Sequence, residues 1–68
     1  MANTRMTVEL YRQALGIAQD DLIRARSQQR ATPGWVSGNG EEIDEVVRGY
    51  ERRVAAIKRN ARKEGIEV

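Results

Sequence analysis

Two series of apolar residues, each about three heptads long, most constrain what this chain folds into. Both series advance by alternating steps of three and four residues. They are Val8, Tyr11, Leu15, Ala18, Leu22 and Ala25, followed by Ile43, Val47, Tyr50, Val54, Ile57 and Ala61. This spacing keeps apolar side chains on one stripe of an α-helix, where a facing helix packs against them. The sequence therefore predicts an all-α fold, an antiparallel two-helix hairpin with helices over about residues 8–29 and 40–64.

The linker, predicted at about residues 30–39, contains turn and capping residues. Pro33 stops the first helix, and Pro33-Gly34 suits the centre of a type II turn, because glycine tolerates the positive φ required there. Asn39 is predicted to cap the second helix. Gly65 is the predicted left-handed residue that closes that helix at its C-terminal end.

The length of 68 residues predicts a single domain over residues 1–68 and limits how large its core can be. A chain of this size buries only about 60% of its unfolded surface, so a two-helix core alone is marginal. Because the sequence contains neither cysteine nor histidine, disulfides and zinc sites with thiolate or imidazole ligands are excluded. No cofactor or metal site is predicted, and association with a partner remains as the source of additional stability.

The first helix carries more apolar surface than one neighbouring helix covers. Leu10, Ala14 and Ile17 widen its apolar arc to roughly 180°, and Ile23 lies beyond the other edge. A homodimer that forms a four-helix bundle explains this surface, as does a docking face for a different protein. The third explanation is that these side chains are simply exposed. Trp35, in the linker, either folds over the open end of the hairpin or anchors a partner.

The second helix carries the strongest polar signal. Between residues 48 and 63 there are seven basic residues and one acidic residue, although the whole chain has 12 basic and 10 acidic residues and a net charge of +2. Five of these basic residues lie on one arc opposite the apolar stripe: Arg48, Arg52, Arg59, Arg62 and Lys63. This arginine stripe is either a solvated outer face or a contact for nucleic-acid phosphates.

Catalytic signatures are weak. Asp20 and Asp21 are adjacent, so their side chains diverge on a helix, and the acidic run at 41–45 suits the positive end of the helix dipole. The glycine-rich stretch at 37–40 lacks the lysine of a phosphate-binding loop. We expect a non-enzymatic protein–protein interaction or adaptor protein, with nucleic-acid binding through the arginine stripe as the alternative.

The expected location is cytoplasmic, because no apolar run is long enough for a targeting signal or a membrane span. The small size also suits a phage or mobile-element product, which would act in the virion or the host cell.

Overall fold

The computed structural model describes residues 4–67, with side chains from Val8 onward, and consists there of two packed helices without a β-strand. Helix α1 spans Thr4–Ala31 and helix α2 spans Ile43–Lys63. The all-helical hairpin is thereby confirmed, and residues 1–3 and 68 of the predicted domain lie outside the described residues. Helix α1 is longer than predicted at both ends, because the added residues include the good helix formers Arg5, Met6 and Ala31 and the single proline comes only at position 33.

Contacts between the helices define an antiparallel register. The Arg26 guanidinium lies 3.1 Å from the Glu51 carboxylate, and Gln29 Nε2 donates a hydrogen bond of 2.8 Å to Asp44 Oδ1. Residues later in α1 therefore face residues earlier in α2, as in any antiparallel pair of helices. Arg26 and Glu51 are each about half exposed, so this ion pair contributes little stability and mainly marks the register.

The core follows the two apolar series. Its central cluster consists of Leu22, Ala25, Ile43 and Val47. The remaining members of both series are buried or half-buried, as the heptad spacing predicts. Eight side chains of the described residues are buried, and three of these are alanine. The core is thin because a pair of helices has only one internal interface to bury.

The connection begins with the predicted turn. The Trp35 N–H donates a hydrogen bond of 3.1 Å to the Thr32 carbonyl, and Gly34 has a φ of 76°. These two features confirm a type II turn centred on Pro33-Gly34.

A short β-like pairing follows this turn. Val36 and Glu42 form an isolated antiparallel bridge, and the Ile43 N–H donates a hydrogen bond of 2.9 Å to the Trp35 carbonyl. This pairing holds residues 41 and 42 in the linker, so α2 starts three residues later than predicted.

The prediction that Asn39 caps α2 is wrong. Its N–H donates to the Ser37 hydroxyl at 3.3 Å, and the Glu41 N–H donates to the same oxygen at 3.1 Å. Gly40 has a φ of 80°, outside the helical region. The N-cap is instead Glu42, whose backbone is extended and whose side chain makes no capping hydrogen bond. Local side-chain-to-backbone bonding in the loop therefore replaces the predicted cap.

The other end of α2 forms as predicted. Gly65 has a φ of 75°, and its N–H donates to the Arg62 carbonyl at 3.0 Å. The Ile66 N–H donates to the Ala61 carbonyl at 2.8 Å, and both side chains are buried. This pair of hydrogen bonds, together with the apolar contact expected between these positions, is a Schellman motif.

Candidate interaction surfaces

The three apolar residues that widen the arc of helix α1 are exposed. We call Leu10, Ala14 and Ile17 the α1 apolar face. Leu10 is 61% exposed and Ile17 is 63% exposed, whereas Leu15 and Ala18, on the neighbouring positions of the same turns, are buried. Helix α2 therefore covers one part of the apolar arc and leaves this part to solvent.

Helix α2 adds half-buried apolar residues on the same side of the hairpin. Val46 and Ile57 lie at the edge of the α2 stripe that faces away from Ile23. Neither residue is buried, since no third helix packs on this side among the described residues. The antiparallel register places Ile57 beside the α1 apolar face, whereas Val46 lies near the loop, about level with Gln29.

Trp35 lies at the opposite end of the hairpin from the α1 apolar face. Its backbone is fixed by the turn and by the pairing with Ile43, and its side chain is 38% exposed. Fourteen residues of helix, roughly 21 Å, separate Ile17 from the end of α1 where Trp35 is found. The two predicted interface regions are therefore not brought together.

The arginine stripe lies on the outer side of α2. All five of its side chains are exposed, and none of them forms an ion pair with another of the described residues. The Arg52 guanidinium donates a hydrogen bond of 3.4 Å to the Arg48 carbonyl one turn earlier. The stripe thus presents uncompensated positive charge to solvent.

An open groove runs between the helices on the side that carries Ile23. It has a volume of about 550 Å³, and its apolar residues are Leu22, Ile23, Val54 and Ala55. Ile23 itself is 61% exposed. The helical period of the sequence places Ile23 outside the main stripe but does not predict the groove, because a groove depends on how the two helices pair.

Tyr11 of α1 and Glu64, which follows α2, line one depression of the hairpin. Hydrogen bonding to the Glu64 carboxylate raises the pKa of Tyr11 above its ordinary value, and burial and the carboxylate charge act in the same direction.

The acidic residues singled out in the sequence do not assemble into a site. Glu41 lies in the linker and Glu45 in the first turn of α2, so they do not share a helix face. Asp21 pairs with Arg24 on the same helix at 3.1 Å. Within the described part of the chain, no three acidic side chains are grouped closely enough to hold a metal ion.

Neither helix combines the length and apolar character needed to cross a membrane, as far as the described residues go. Comparison with known proteins finds no matching family model, no matching curated protein and no matching solved structure.

Proposed function

We propose that this chain is a small non-enzymatic protein–protein interaction protein that self-associates through the α1 apolar face. The observation that carries the proposal is the exposure of Leu10 and Ile17 beside a thin core. Apolar side chains aligned along one helix face are a common basis for helix association.

The proposed dimer is a four-helix bundle in which the α1 apolar faces of two hairpins pack together. A two-fold axis brings this face of one copy into contact with the same face of the other. Such packing would also cover Ile57, which the hairpin alone leaves half-buried. The second interface would thereby supply the burial that a single helix pair lacks.

The test is the mass in solution, measured by light scattering over a range of concentrations. We expect the wild-type chain to have twice the mass of one chain, and the double variant Leu10→Glu/Ile17→Glu to have the mass of one chain. Ile23→Glu is the matched control, because Ile23 is equally exposed but lies on the other side of α1. A wild-type chain that stays monomeric at all concentrations contradicts the proposal.

Nucleic-acid binding is the second candidate function, and it is favoured by the exposed and uncompensated arginine stripe. If the stripe contacts phosphates, the affinity for duplex DNA falls with salt, with a log–log slope of about −0.9 for each phosphate contacted. Replacing Arg52 and Arg59 by glutamine should then lower the slope by about 2. The low net charge of +2 favours the protein-interaction proposal over this one.

A further inference from the structure

We propose that the groove on the Ile23 side of the hairpin binds an amphipathic helix with acidic flanks from a different protein. The proposal rests on the proposed interaction function and adds the chemistry of a second partner, at a surface separate from the α1 apolar face. Its basis is a short apolar patch in the groove together with basic side chains on the α1 and α2 borders.

The floor of the groove is suited to apolar side chains of a helix. Leu22 and Ile23 of α1 face Val54 and Ala55 of α2 across it. Along α1 the groove and its extension reach from residue 19 to residue 30, roughly 17 Å at 1.5 Å per residue. That length accommodates about three turns of a partner helix, of which about one turn would place apolar side chains against Ile23, Val54 and Ala55.

Both borders of the groove carry basic side chains. Arg26 reaches across the groove to Glu51, and Arg30 lies beyond it on the α1 border, where a smaller depression continues the groove. Lys58 lines the α2 border, and a further depression, which shares Ala55 and Glu51 with the groove, extends it to Arg48 and Arg52. These last two residues belong to the arginine stripe, so the stripe forms the outer edge of the same surface.

The only acidic side chain lining these three depressions is Glu51, and it is already paired with Arg26 at 3.1 Å. Four basic residues therefore remain to interact with a ligand: Arg30, Arg48, Arg52 and Lys58. Carboxylates on the two flanks of a bound helix would complement them, which sets both the partner's charge and its orientation.

A second copy of this chain does not offer a suitable helix in the proposed dimer, because its α1 apolar face is already covered there. Its acidic run at 41–45 includes Ile43, which is 2% exposed and belongs to the core of its own hairpin. The apolar residue that would enter the groove is thus unavailable without unfolding the donor. A phosphate backbone also fits less well, because it has no apolar side chains to cover Ile23 and Val54.

The experiment uses two labelled synthetic peptides of equal length and identical apolar positions. One carries glutamate at every flanking position and the other carries lysine, and binding to the full chain is followed by fluorescence anisotropy at about 0.15 M salt. We expect the glutamate peptide to bind at least about tenfold more tightly than the lysine peptide. Equal binding of both peptides, or no binding of either, overturns the proposal.

Variants of the chain locate the binding site. Ile23→Glu should weaken binding of the glutamate peptide at least about tenfold, because it places a charge on the apolar floor. Leu10→Glu/Ile17→Glu, on the other side of α1, should leave peptide binding unchanged when self-association is lost, measured under conditions where circular dichroism shows that this variant is folded. Peptide binding and self-association are thus measured independently, so failure of one proposal is distinguishable from failure of the other.

A charge reversal provides a check that does not depend on loss of binding. Arg30→Glu/Lys58→Glu changes two exposed residues, one on each border, and should shift the preference toward the lysine peptide. An unchanged preference for the glutamate peptide contradicts the assignment of these borders. The same assay with duplex DNA tests the alternative. If the DNA binds the wild-type chain more tightly than the glutamate peptide does, and if Ile23→Glu leaves DNA binding unchanged, the proposal is overturned in favour of a nucleic-acid surface.

Discussion

Replacing Leu22 by alanine tests whether the buried stripe of α1 is assigned correctly. Leu22 is 8% exposed and belongs to the central core cluster, and buried leucine-to-alanine changes cost about 2–5 kcal/mol. Leu22 also lines the open groove, so water and neighbouring side chains can enter the space that its removal leaves. We therefore expect a cost near the lower end, about 2–3 kcal/mol.

Ile23→Ala is the matched control, since it removes an equal number of carbon atoms from the adjacent residue. Ile23 is 61% exposed, so its truncation should change the free energy of unfolding by less than about 0.5 kcal/mol. Urea denaturation followed by circular dichroism measures both variants, at one fixed protein concentration because association adds to the apparent stability. A cost for Ile23→Ala equal to that for Leu22→Ala would refute the assignment of the two sides of α1.

Three further predictions concern glycine positions and one tyrosine. Gly65→Ala should destabilise the fold by about 1 kcal/mol in the same denaturation assay, because its φ of 75° is strained for any residue with a side chain. Gly16→Ala should instead stabilise it by about 0.5–1 kcal/mol, since an added methyl group meets no atom within 4 Å in the middle of α1. The raised pKa of Tyr11 means that the folded state favours the protonated phenol. The resulting stability is fully present below the ordinary tyrosine pKa of about 10 and is lost as the pH rises through the raised value. As the pH rises from about 10 through the raised pKa, the melting temperature of wild type should therefore fall by more than that of Tyr11→Phe.

Most of the hairpin is predictable from the sequence because helix burial follows a fixed period. Leu15 and Leu22 recur on the apolar stripe of α1, Ile43 and Val47 belong to that of α2, and all four are buried. The Pro33-Gly34 turn and the Gly65 cap are equally predictable, since each depends on a backbone geometry that few residues adopt.

The start of α2 and the groove were not predictable in the same way. Asn39 is a good N-cap by residue type, but the Ser37 hydroxyl accepts the local N–H groups and the chain pairs with itself at Val36 and Glu42. That outcome depends on competition between two local bonding patterns, which residue preferences do not resolve. The groove likewise depends on the register between the helices, as marked by Arg26 and Glu51.

The function of the exposed surfaces is not encoded by any single motif. The exposure of Leu10 and Ile17 in the single hairpin follows from the width of the apolar arc, because one neighbouring helix covers only part of it. The helical period that explains this exposure does not determine whether a second molecule covers the arc.

The most direct test of self-association is an isotope-filtered nuclear Overhauser experiment on a mixture of labelled and unlabelled chains. Only contacts between two different molecules give signals in this experiment, so the hairpin's own packing does not contribute. We predict intermolecular signals from the methyl groups of Leu10 and Ile17, and none from Ile23 when no other partner is present. Full isotope mixing without any intermolecular signal from Leu10 or Ile17 would contradict the proposal that the α1 apolar face is the interface.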